Sequence, residues 1–161
     1  MEGRPGVEGA LAAIEASAFA QTIRRSIWLY PVANVLHVLG VMSFFAAVAA
    51  MDVKAVRGSS TAAVRAFITR IRPLAITLLV VQSMTGIMLF LPEASHIAHN
   101  PAFQAKLATI LLALLNVLAL EIALGRASLV AAPPVAIRLA AVTSLALWLA
   151  VAAFGRLIAY F

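Results

Sequence analysis

The chain has 161 residues, 64% of them hydrophobic and 11% charged, with a mean hydropathy of +1.04; soluble domains hold roughly 45 to 50% apolar residues, so this is an integral membrane protein. The absence of cysteine excludes disulfides, thiolate metal sites and thiol nucleophiles together. A net charge of +6 sits beside apolar runs with no aromatic-interleaved basic face, which excludes nucleic acid as a partner and suits the charged loops of a membrane protein.

Residues 1–26 do not read as a signal peptide: Glu2 and Glu8 lie in the first residues, Glu15 interrupts the apolar part, and no basic region leads into a continuous apolar one. Val7, Leu11, Ile14 and Ala18 recur at helical spacing, predicting an amphipathic helix at the membrane surface with Glu8 and Glu15 toward water. Four spans follow, at about residues 28–50, 74–91, 103–124 and 139–160, each near the ~20 apolar residues that cross roughly 30 Å of hydrocarbon. Gly58 to Thr61 form a turn and helix cap. Pro73 is expected to kink a helix that begins outside the bilayer, and Pro92 closes the second span. Asn100 followed by Pro101 is a cap and first-turn proline opening the third helix, and Pro133 and Pro134 break the chain before the fourth. The expected fold is all-α: one membrane domain, a four-helix bundle with an interfacial N-terminal helix.

Lys54, Arg57, Arg65, Arg70 and Arg72 lie in the first loop and Arg126 and Arg138 in the third, against Lys106 alone in the second. That asymmetry places both termini in the periplasm of a bacterial inner membrane.

The first span, WLYPVANVLHVLG, carries Asn34 and His37 inside an apolar run. At 1.5 Å per residue His37 lies about 13 Å below the outer end, Gln82 about 13 Å and Asn116 about 15 Å. Three polar side chains from three spans therefore share one layer, with Asn34 and Ser83 one turn away and Trp148 slightly deeper. Such a layer serves either as interhelical packing or as a site. In the second case His37 ligates haem b or copper, or relays a proton. The other spans hold no histidine, so a haem would take its second ligand from Met84, Met88 or another chain.

His96 and His99, with Glu93 one turn before, offer imidazole and carboxylate groups to a divalent metal if the second loop is helical; a hydrated loop is the alternative. Lys106 and Arg156 near the outer interface either snorkel or hold an acidic group of lipid, haem or quinone. Glu121 is either a proton-loading acid or half of an interfacial ion pair. No G-x-S-x-G, H-E-x-x-H or glycine-rich phosphate loop occurs, so nucleophilic and hydrolytic catalysis have no support.

WLYPVANVLHVLG, MDVKAVRG, TGIMLF, NPAFQAKL and SLALWLAVAAFGRLIAYF together resemble, nearly end to end, a family of small bacterial inner-membrane proteins of uncharacterised function. More distantly, a span-one histidine followed by glycine and a lysine opening span three are similar to CopD-like copper-resistance proteins and HemJ-like protoporphyrinogen oxidases. That similarity implies haem b or copper on His37, with Lys106 as a second functional residue. The closer family tends to carry a second histidine near the position of Glu121 and glutamate in place of Asn34.

The combined expectation is a non-catalytic subunit of a larger redox or photosynthetic membrane complex, its partners being lipid and other membrane subunits or further copies of itself. Alanine-rich stretches, SLALWLAVAAFG and AAVAAM, are expected to offer close helix contact to such a partner. The alternatives are a b-type haem or copper protein using His37, or a proton-coupled transporter using His37 and Glu121.

Overall fold

The computed structural model describes residues 6–160; the expectations for Glu2 and the rest of residues 1–5 lie outside them. Among the described residues every regular element is helical: α1 (Val7–Ala16), α2 (Ala18–Arg25), α3 (Leu29–Arg57), α4 (Thr61–Phe90), α5 (Ala94–His99), α6 (Pro101–Arg126) and α7 (Val135–Leu157). Short 3₁₀ turns, Leu91–Glu93 and Ile158–Tyr160, follow α4 and α7. Four helices are long and apolar enough to cross a membrane, and the chain is a multi-pass membrane protein built as an all-α four-helix bundle.

The helix ends follow local chemistry. Ser60 caps α4, its hydroxyl accepting from the Ala63 N–H at 3.3 Å. Asn100 Oδ1 accepts from the N–H groups of Ala102 at 2.9 Å and Phe103 at 3.3 Å, with Pro101 in the first turn where its missing N–H costs nothing. Helix α4 runs continuously through Pro73, and the Thr77 hydroxyl donates to the Pro73 carbonyl at 3.0 Å. The loops at the Gly58 end are tied together: the Thr61 N–H reaches the Ala131 carbonyl at 2.9 Å and the Ala62 N–H the Leu129 carbonyl at 3.1 Å.

Helix α3 packs along both α4 and α7, and α6 packs along α7. The backbones of α4 and α6 stay apart over most of their length, and side chains bridge them, as in the Phe90–Phe103 stack at 5.4 Å and the Arg72–Glu121 ion pair. At the Gly58 end Ala55, Val64, Ile68, Leu120, Leu124, Ile137 and Ala141 form one buried cluster. Mid-bundle, Phe44, Val48, Ala113 and Trp148 form another, with the Phe44 and Trp148 rings edge to face at 4.7 Å. Ala47 of AAVAAM and Ala141, just before SLALWLAVAAFG, are buried within the chain's own bundle. Part of the alanine content expected to face a partner therefore serves internal helix contacts.

The N-terminal segment corrects the expectation of one interfacial helix. It breaks at Ser17, whose hydroxyl accepts from the Ala20 N–H at 3.3 Å and caps α2. Glu15 does not face open water; its carboxylate accepts from the Ser95 N–H at 2.7 Å in the first turn of α5, an anion at the end of a helix where N–H groups lack partners. Val7, on the predicted apolar face, is exposed, whereas Ala20 and Ile23 of α2 are fully buried. The Arg24 guanidinium donates to the Pro92 carbonyl, fastening α2 to the turn after α4.

Candidate polar site at His37

The HVLG stretch of α3 places His37 and Gly40 one turn apart, and QSMTG of α4 places Gln82, Thr85 and Gly86 on one face. The two faces meet. His37 Nδ1 lies 2.9 Å from the Thr85 hydroxyl, which donates to the Val81 carbonyl at 3.0 Å. The one hydroxyl proton can go to that carbonyl or to the ring, so Thr85 ties the imidazole to α4 in either tautomer. The Gln82 amide nitrogen is 2.9 Å from Nδ1 and 2.8 Å from Nε2. Nearly equal distances to both ring nitrogens put the amide over the ring rather than along either lone pair.

Glycine makes this approach possible. A β-carbon on Gly40 would lie 2.5 Å from Gln82 Oε1, and one on Gly86 would lie 3.1 Å from His37 Cε1. On the other side of the bundle Lys106 is half-buried: a β-carbon on Gly155 of α7 would lie 3.3 Å from Nζ. His37 and Gln82 thus meet, together with Thr85, which sequence reading passed over, while Lys106 lies against Gly155 of α7.

The other members of the predicted layer go elsewhere. Asn116 Nδ2 donates to the Ala140 carbonyl of α7 at 2.9 Å. Ser83 is exposed and donates to Leu79 of its own helix at 2.9 Å, and Asn34 is exposed on α3. A common depth fixes neither azimuth nor neighbour. Arg156 is exposed and folds back on Tyr160, donating to its hydroxyl at 2.9 Å with the guanidinium 4.8 Å from the ring centroid. Of the two methionines expected as a second ligand, Met84 is 62% exposed and Met88 half-buried.

The second loop does contain a helix, α5, but Glu93, His96 and His99 are all exposed. His99 Nδ1 is 2.7 Å from the Ser95 carbonyl, and among the described residues no three His, Asp or Glu side chains converge as a metal centre. Glu121 pairs with Arg72 of α4, at the opposite end of the bundle from His37. It is half of an ion pair, and its partner Arg72 stands ten residues, about 15 Å of helical rise, from the Gln82 that meets His37.

Asp52 is the buried charged residue that sequence reading left without a role. It is 3% exposed, its carboxyl meets the buried Ser144 of α7, and Oδ2 has no partner among the described residues. The signal was present: Asp52 stands four residues after Val48, eight after Phe44 and three before Ala55, all on the core face of α3.

A model of the family of unknown function DUF6644 matches residues 16–161, and the chain belongs to that family. No curated protein and no solved structure matches the chain.

Proposed function

We propose that this DUF6644 protein is a non-catalytic subunit that packs inside a larger complex of the bacterial inner membrane, with the α5 end periplasmic. The observation that carries the reading is Asn34. It is exposed on α3 and makes no side-chain hydrogen bond to the described residues, about 9 Å inside the span if that span begins at Trp28. Amides at that depth pair with a neighbouring helix, because lipid offers no partner. The exposed side chains of Val35, Val38, Leu39 and Met42 surround it with apolar surface suited to helix contact. The lysine and arginine excess in the Gly58-end loops supports the orientation.

A redox or photosynthetic complex is the setting proposed, for a small, nearly loop-free chain with asparagine and glutamate at Asn34 and Glu121. Within one chain, however, the residues round His37 do not suit a haem or a copper ion: one imidazole is present, and its ring nitrogens are already met by the Gln82 amide and the Thr85 hydroxyl. His37 is therefore read as interhelical packing, worth around 0.6 kcal/mol per hydrogen bond in membrane proteins.

The test is gentle purification from native membranes, with oxidised and reduced optical spectra of the wild type and of His37→Ala. Co-purifying subunits whose retention drops in Asn34→Leu, with no His37-dependent absorption, are expected. A reduced b-type band that disappears in His37→Ala would overturn the reading in favour of haem ligation, and a monomer with no partner would remove the subunit role.

A further inference from the structure

Helix α4 is 30 residues long, about 45 Å, against roughly 30 Å of hydrocarbon. If Phe90 marks one boundary, the other falls near residue 71, so Arg72 stands at the edge and Arg65 about 10 Å beyond it, among headgroups. Arg65, Thr69 and Arg72 are spaced to share one face of α4. Because α4 and α6 do not close on each other, that face opens on a cavity of about 110 Å³, lined by Arg65, Thr69 and Arg72 together with Glu121 and Gly125 of α6.

The charges are unequal. Glu121 pairs with Arg72, while Arg65 has no carboxylate within ion-pair distance among the described residues, leaving the cavity with one cation in excess and a hydroxyl beside it. Gly125 contributes open space: a β-carbon there meets nothing within 4 Å.

We propose that this cleft is a binding site for the phosphate of an anionic membrane lipid. Arg65 and Arg72 supply N–H groups in the fork geometry that suits phosphate oxygens, and Thr69 adds a hydroxyl donor. Glu121 holds Arg72 in position and competes with the ligand for it. The placement of Arg72 at the hydrocarbon edge and Arg65 beyond it favours a bilayer lipid over a soluble phosphate.

Lipid retention by the purified full chain, read by native mass spectrometry in detergent with added phosphatidylglycerol or phosphatidylcholine, tests this. Phosphatidylglycerol is expected to be retained in preference. Retention should fall about fivefold in Arg65→Gln, the fold-change for about 1 kcal/mol per basic residue near a membrane surface. It should fall also in Gly125→Leu, which fills the cleft and changes no charge, and rise in Glu121→Gln. Equal retention of both lipids, unchanged retention in Gly125→Leu, or displacement of the lipid by millimolar inorganic phosphate would each overturn the proposal. So would loss of the bound lipid whenever a co-purifying subunit is present, because the cleft would then be a protein interface.

Discussion

The two ends of the bundle solve the problem of polar groups near a membrane in opposite ways. Toward α5, the imidazole of His37 is held between neutral groups, the Thr85 hydroxyl and the Gln82 amide, at a contact that Gly40 and Gly86 bring close. Toward Gly58, polar groups sit around an apolar cluster: Arg72 and Glu121 are side by side and partly exposed, at 40% and 37%. Ile137, Val64 and Ile68 seal the interior there. The glycine-lined contact lets the side chains meet directly at a depth without water, although Gln82 Oε1 is left without a partner among the described residues. Ion pairs suit the interface, where solvent reduces both the cost of charge and the gain from pairing it.

If the Gly58 end is held by packing, Ile137→Ala, which empties a fully buried position, should have the largest effect on stability. A loss of about 3 kcal/mol is expected, seen as a lowered midpoint of thermal unfolding in detergent. A near-unchanged midpoint would show that the cluster contributes little. The α5 end should respond more weakly and more specifically. Thr85→Val keeps the shape and removes the partner of Nδ1, with an expected loss of about 1 kcal/mol. The sharper readout is the His37 ring nitrogen signals in ¹⁵N NMR, which should move if Nδ1–H donates to Thr85 and stay in place if it does not. Smallest of all, Arg72→Gln should cost well under about 1 kcal/mol, as exposed pairs do. A loss equal to that of Ile137→Ala would erase the contrast between the two ends.

The fold was legible because its determinants are local. Apolar length set the four helices, and Ser60, Asn100 and Pro101 marked their starts by chemistry that acts within three residues. His37 and Gln82 were found through depth, since rise per residue is fixed in a helix. Thr85 was missed because nothing in QSMTG says that its hydroxyl, bonded to its own helix backbone, also meets the imidazole on α3. Asp52 went unassigned because it lies near a span end, where a carboxylate reads as a solvated terminus, although its spacing from Phe44 and Val48 marks the core face. Glu15 was assigned to water by its place on a helical wheel, and the N-terminus of α5, 80 positions along the chain, supplied a better partner.

Sequence by itself determined that the chain carries four helices long and apolar enough to span a membrane, and where their caps and breaks fall, because hydropathy and capping are properties of short segments. Only the tertiary structure decided which side chains meet. Rotation of each helix about its axis joined His37 to Gln82 and Thr85, sent Asn116 to the Ala140 carbonyl, left Asn34 facing outward, and kept α4 and α6 far enough apart to leave a cleft between Arg65 and Gly125. That rotation is set by the packing of whole faces, including the glycines at 40, 86 and 155, and no segment read alone contains it.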